Sequence, residues 1–222
     1  MITPNVTSQH NQDEKSHVGR VRVWTVQPEE VWLNLQEQKS LFVDPKQSHT
    51  YQEWPDSVEW MRKQMRKRLP TYRGNYPWWA WFYPKPDIRK LRHGTYSDIP
   101  ETYVRIELLI PENRVLISNL QAWDWVLLGA AVPYTSSEAD YWLNLSDTFE
   151  GGVLPSHLQS RSKSTWERIF ERDLTSRHQS SDTLDNPMWQ ENLWQATFEE
   201  LRLDDVSKVT VFVATPLKRE KS

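Results

Sequence analysis

The sequence predicts an α+β fold: a mostly antiparallel central sheet of five or six strands, with helices packed around it in a single domain. Three observations carry this. Residues 78–82 and 104–110 alternate between two faces with the period of two that a strand imposes. Residues Trp54, Val58, Met61, Met65 and Leu69 recur at intervals of three and four, which is the spacing of an amphipathic helix. Pro111-Glu112-Asn113 supplies turn chemistry between two apolar runs, so residues 103–118 read as a hairpin.

The 222 residues suffice for one large or two small domains with a proper core, and no repeat or composition break divides them. Only 37% of the residues are hydrophobic, but 13 Trp, 8 Tyr and 6 Phe supply large apolar area per residue, so the expected core is built on aromatics. With 6 Gly against 14 Pro, rigid connections should outnumber left-handed turns. There is no cysteine, hence no disulfide framework and no thiolate metal site. His10, His17, His49, His93, His157 and His178 show no metal-ligand spacing. Gly-rich phosphate loops, nucleophile elbows and paired-carboxylate signatures are also missing. No apolar run reaches the length of a membrane span and no hydrophobic leader opens the chain, so the expectation is a cytoplasmic protein with no membrane partner.

In chain order, residues 1–19 are polar and aperiodic and read as a disordered tail. Residues 20–215 read as the α+β domain and 216–222 as a charged tail. The domain opens on a short alternating strand, residues 21–25. Pro28, Glu29 and Glu30 then suit a helix start, with Val31, Trp32 and Leu35 on its inner face. Residues 41–43 are extended. A second helix covers residues 55–69, its wet face carrying Arg62, Lys63, Arg66 and Lys67, and Pro70 stops it. Residues 88–91 form a helical turn. After the expected hairpin, Asn119 caps a helix that ends near Gly129, and Ser136 or Ser137 caps another through Leu145. A further helix surrounds Trp166, Ile169 and Phe170, and residues 178–185 form a polar loop. Two strands around Asp204-Asp205 complete the domain, with Val209, Val211 and Val213 on one face.

The stretch that stands apart is Tyr76-Pro77-Trp78-Trp79-Ala80-Trp81-Phe82-Tyr83, six aromatics in eight residues. As a strand inside the sheet it puts Trp79 and Trp81 on one side, Trp78 and Phe82 on the other. Ala80 leaves a gap that a backbone or a flat ligand can enter. Its rings either fill a core or line a pocket suited to stacking. The surrounding residues 62–92 hold ten Lys or Arg and a single acid, Asp87, a charge of +9 in a chain whose total is −3. Such asymmetry marks either a solvated helix face or a phosphate-bearing partner. Near the end, Trp194, Ala196 and Phe198 alternate with Gln195 and Thr197. If the strand continues, Glu200 falls in phase with the apolar set and must be paired, solvated, or held with a raised pKa. A helical reading of the same residues puts Glu200 near a surface.

Several of these motifs resemble a bacterial family known as domain of unknown function 3841. They are Arg22-Val23-Trp24-Thr25-Val26-Gln27-Pro28, Tyr76-Pro77-x-Trp79-Ala80-Trp81, Val104-Arg105-Ile106-Glu107 and Gln195-Ala196-Thr197-x-x-Glu200-Leu201. The resemblance covers roughly residues 21–214 and departs from the pattern at Glu199 and Asp124. It implies relatedness and brings no activity with it. In layout alone the chain is also similar to ADP-ribosyltransferase-like proteins, whose first strand holds NAD and whose late strand carries a catalytic Glu. That analogy places Arg22 on the NAD and Glu200, with Gln195, as catalytic candidates, while Trp24 stands where a His is expected. The leading expectation is a nucleotide-like ligand or nucleic acid held by Arg22, Trp24, Trp79, Trp81 and Arg105. The alternative is an NAD-dependent transferase.

Overall fold

Strand order in the sheet departs from sequence order, and that departure shapes the domain. The structure, a computed structural model, describes residues 19–83, 85–86, 100–171 and 193–215. Residues 1–18, the expected helical turn at 88–91, the polar loop at 178–185 and the tail from 216 lie outside these.

The first strand, β1 (Arg20–Pro28), runs directly into α1 (Glu29–Gln38), with Pro28 at the N-cap and Glu29 and Glu30 in the first turn. Lys39 ends the helix in the left-handed region at φ 67°, and its N–H donates to the Leu35 carbonyl at 2.9 Å. A two-residue strand, β2 (Ser40–Leu41), follows. A short helix α2 (His49–Glu53), which the sequence pattern did not announce, precedes α3 (Pro55–Arg68). The tryptophan strand is β3 (Trp78–Tyr83). Then come β4 (Glu101–Pro111), a 3-10 turn at Glu112–Arg114 and β5 (Val115–Asn119). Asn119 caps α4 (Leu120–Leu127), its Oδ1 accepting from the Ala122 N–H at 2.9 Å. Thr135, one residue before the expected serines, caps α5 (Ser136–Asp147). Then α6 (Ser156–Ser164) leads to a 3-10 segment at Trp166–Phe170. The chain closes with β6 (Trp194–Phe198), β7 (Leu201–Arg202) and β8 (Val206–Ala214).

The sheet is antiparallel throughout, in the order β5-β6-β3-β1-β4-β8, and β2 pairs with β7 beside it. The expected α+β class and the inner place of the tryptophan strand both hold. The expected 103–118 hairpin does not. Four antiparallel pairings separate β4 from β5, so the two run in the same direction and no reversal joins them. In a flat sheet they would lie about 19 Å apart, four strand spacings. The four residue steps from Pro111 to Val115 reach at most about 14 Å. The sheet must therefore curl, bringing Ile110 and Val115 into one apolar cluster. The residues expected to turn the chain back instead carry one long bent strand from β1's partner to β6's. The two strands expected around Asp204-Asp205 are β7 and β8, on either side of a 3-10 turn at Leu203–Asp205.

The curl divides the packing. One face carries Val23, Ala80, Val104, Ile106, Leu108, Ile110, Ala196 and Phe198 against Leu35, Val31 and Trp32 of α1. The gap beside Ala80 is thus filled by core; Ala80 is buried in it. On the other face, Met61, Met65 and Leu69 of α3, Ala122, Trp123 and Val126 of α4, and Trp166 and Ile169 cover Leu116 of β5 and Trp79 of β3. The Trp79 and Trp123 rings lie 4.7 Å apart. Truncating Trp79 to Ala should lower the unfolding free energy by about 3 kcal/mol or more. Trp78→Leu keeps apolar bulk and gives up the indole bond to the Leu41 carbonyl (3.1 Å), so it should cost only about 1–2 kcal/mol. Urea melts of the two variants measure the difference, and equal losses would contradict this division of the faces.

Candidate functional site

Cross-strand register assembles the site. Ser118 of β5 pairs with Gln195 of β6, Gln195 with Trp81 of β3, Trp81 with Trp24 of β1, Trp24 with Glu107 of β4, and Glu107 with Lys208 of β8. Directly opposed residues share a face, so these six side chains form one row across the whole sheet. They lie on the face opposite Ala80 and Ile106. Ser118, Gln195 and Glu107 are buried, while Trp24 and Trp81 are half-buried. Most indoles of the domain sit in or against an apolar cluster. Trp24 and Trp81 belong to none of the three, nor do Trp54, Trp142 and Trp194, and of these five only Trp24 and Trp81 lie opposite one another in the sheet.

A buried polar row is tolerable only if its members are partnered. Gln195 donates to the Ser118 hydroxyl at 3.3 Å. Glu107 is the hub: Trp24 Nε1 at 2.9 Å and Lys85 Nζ at 3.4 Å donate to its Oε2, and the Ser207 hydroxyl at 3.4 Å and Arg22 donate to its Oε1. Burial alone would raise the Glu107 pKa. The bonds from Trp24, Lys85 and Arg22 and the Lys85 charge outweigh it and hold the carboxyl below its ordinary value. Lys85 also stands 5.7 Å from the centre of the Trp24 ring. Two residues along β4 and on the same face, Arg105 is buried and donates to the Pro86 carbonyl at 2.6 Å. Arg22 and Lys85 keep about half of their side chains in solvent. Two indoles are thereby presented beside three cations and one neutralised carboxylate.

Residues 22–206 match the family described as "Domain of unknown function (DUF3841)". The chain belongs to the DUF3841 family. No curated protein and no solved structure matches it. The matched span begins at Arg22 and takes in every member of the row except Lys208, so the site lies within the DUF3841 region.

Of the residues singled out from sequence, the structure brings Arg22, Trp24, Trp81, Arg105 and Gln195 onto this one surface. Trp79 shares their face of the sheet but is stacked on Trp123 in the core. Glu200 stands apart. The strand ends at Phe198, so Glu200 never comes into phase with the apolar face; it lies in the link between β6 and β7. Its carboxylate accepts from Arg202 Nε at 2.6 Å and lines a small cavity of about 40 Å³ with Arg73, Arg114 and Glu199. Burial would raise the Glu200 pKa, but the bond and charge of Arg202 leave it lowered. Among the three alternatives, pairing is therefore the one realised. Five residues of chain separate Glu200 from Gln195, on the order of 15 Å. Glu199 accepts from the Arg73 N–H (2.9 and 3.0 Å), the Asn75 N–H (2.8 Å) and the Asn75 side chain (2.9 Å).

Glu107, Lys85 and Ser118 are the site residues that sequence reasoning passed over. A carboxylate in the middle of an otherwise apolar strand, in phase with Arg105, was the available signal for Glu107. The basic block of α3, by contrast, is largely engaged within the fold. Arg62 bonds Glu59 at 2.6 Å, and Lys67 and Arg68 both reach Glu167, at 2.9 and 3.1 Å. Because the folded pKa of Glu107 lies below its unfolded value of about 4.3, its stabilisation is complete above that pH and is lost as pH falls through the folded value. Glu107→Gln should cost about 1–3 kcal/mol at neutral pH and flatten this acid limb. Denaturant melts between pH 7 and pH 3 test both, and a variant with the wild-type acid profile would show that the carboxylate is not the hub.

Proposed function

We propose that this DUF3841 protein binds a nucleotide-like small molecule on the β1–β3–β4 surface, with a planar base between or against Trp24 and Trp81 and its phosphate facing Arg22, Lys85 and Arg105. The observation that carries this is the pair of in-register indoles held outside every apolar cluster, in a row whose neighbouring members Ser118, Gln195 and Glu107 are buried and hydrogen-bonded. An indole face offers stacking to any base, and guanidinium or ammonium groups beside it offer charge to an anion. Glu107 has its own use in such a site. It fixes the Trp24 indole through Nε1 and holds Arg22 and Lys85 near the ring without a ligand present.

The choice between a small nucleotide and nucleic acid follows from charge. Of the basic side chains of α3, Arg62, Lys67 and Arg68 already hold Glu59 and Glu167, which leaves only Lys63 and Arg66 to meet a polymer. A transferase would need a free carboxylate beside the stacked ligand; Glu107 there is tied to Trp24, Arg22 and Lys85, and Glu200 is engaged with Arg202 elsewhere. Reversible binding is therefore the function we carry forward. The test is calorimetric titration with AMP, NAD, ribose 5-phosphate and a single-stranded oligonucleotide. AMP or NAD should bind saturably and ribose 5-phosphate much more weakly. Trp24→Ala and Trp81→Ala should each weaken binding about 5- to 100-fold, the value of one base–aromatic stack of about 1–3 kcal/mol. No nucleotide binding at millimolar concentration, or binding indifferent to both substitutions, would overturn the proposal.

A further inference from the structure

A second site lies in the helical layer, away from the sheet. The end of α4, the link that follows it, α5 and α6 enclose a cavity of about 440 Å³. Trp125, Trp142, Ala131, Leu143 and Leu154 line it, and Lys163 of α6 supplies its one charged side chain. That volume falls in the range of small-molecule pockets, which are mostly apolar with a few polar groups that fix orientation. Leu128, Leu143 and Val153 stand at its rim with 78%, 53% and 64% of their surface in solvent. Isolated exposed leucines are ordinary, but three around one cavity are an apolar surface with something to cover. Gly129 and Gly152 line the same cavity with φ of 71° and 70°, and a Cβ built on either would meet nothing within 4 Å.

Charge narrows the ligand. Trp142 also lines a neighbouring cavity of about 240 Å³, where Arg168 is neutralised by Glu138 at 2.8 Å. In that cavity Arg161 lies 5.6 Å from the centre of the Trp142 ring. Neither Arg161 nor Lys163 has a carboxylate partner among the described residues. No acidic side chain lines the larger cavity. A largely apolar pocket whose lining holds a lysine with no carboxylate partner among the described residues, its Nζ 5.5 Å from the centre of the Trp166 ring, and with Arg161 behind its tryptophan wall, suits a molecule with an apolar body and one negative head. We infer that the α4–α5–α6 cavity binds an amphipathic monocarboxylate, its apolar part against Trp125, Trp142 and Leu143 and its carboxylate at Lys163. This site is independent of the nucleotide surface.

Isothermal titration with sodium decanoate, decanol and decyltrimethylammonium, each below its micelle concentration, tests the inference. Decanoate should bind at one saturable site and the ammonium compound at least tenfold more weakly. Lys163→Glu, an exposed position, should weaken decanoate tenfold or more while leaving decanol within about twofold. Leu143→Trp, which fills the rim of the cavity from an exposed position, should weaken both. Circular dichroism melts establish that the two variants are folded, and Lys163→Gln repeats the charge test should Lys163→Glu be unstable. The inference is overturned by an absence of saturable decanoate binding, by equal affinity for the ammonium compound, or by indifference to the Lys163 variants. It is equally overturned if only anionic phospholipid vesicles bind, or if Leu143→Trp alters self-association while decanoate has no effect.

Discussion

A chain that must pass from one side of a sheet to the other within three residues cannot leave that sheet flat. The link at Glu112–Arg114 imposes this constraint. It joins β4 to β5 without reversing direction, so the strands between them wrap until the two ends of the bent strand are within reach. The inside of the curl is where Val23, Ile106, Ile110, Val115 and Phe198 meet. The polar row runs on the other side. The link is itself pinned: Arg114 pairs with the buried Asp205 at 2.8 Å, and the Glu112 N–H donates to the Gly19 carbonyl at 2.9 Å. These contacts tie the bend to the segments that enter β1 and β8. Curvature, apolar core and site surface therefore share one cause.

Tryptophan serves different ends in this domain according to the hydrogen-bond partner of its N–H. Trp166 is fully enclosed and donates to the Ala130 carbonyl at 2.7 Å, which ties the 3-10 segment to the link after α4. Trp78 donates to Leu41 and so fastens the tryptophan strand to β2. Both spend their polar atom on backbone, as buried indoles usually do. Trp24 donates to a carboxylate that also holds two cations. A ring oriented by a charged network and left partly in solvent is held in one position by the fold itself.

Much of the fold was legible in the sequence because it rested on local chemistry. The spacing of Val58, Met61 and Met65 gave α3, the side chain of Asn119 gave the start of α4, and the alternation at residues 104–110 gave both β4 and its buried face. What was not legible was partnership between distant strands. Pro111-Glu112-Asn113 has the composition of a turn, and composition cannot say whether the chain reverses or only bends. The site followed the same rule. Arg22, Trp24, Trp81 and Arg105 were conspicuous by residue type, and the alternation of β3 had already put Trp79 and Trp81 together. Only register separates them: Trp81 lies opposite Trp24, whereas Trp79 lies opposite Thr197 and under Trp123. Glu200 was placed in phase by extending a strand two residues past its end. Glu107 was not legible as a hub, because that role depends on Arg22, Trp24 and Lys85, all distant in sequence.

The insertion of β6 between β5 and β3 has a consequence for how the protein is made. A ribosome has already produced β3 and β5 when it reaches Trp194, and until then the facing edges of those two strands have no partner. Unpaired edges of aromatic and aliphatic residues are the kind that join to other chains. The nascent domain must therefore wait, with its sheet split, for nearly the last strand to emerge. Pairings so far apart in sequence also slow closure once synthesis is complete. A message broken before the codon for Trp194 would yield not a smaller version of this domain but a chain in which β3 and β4 each have an open edge and β5 has no partner at all, fit for aggregation or for a protease.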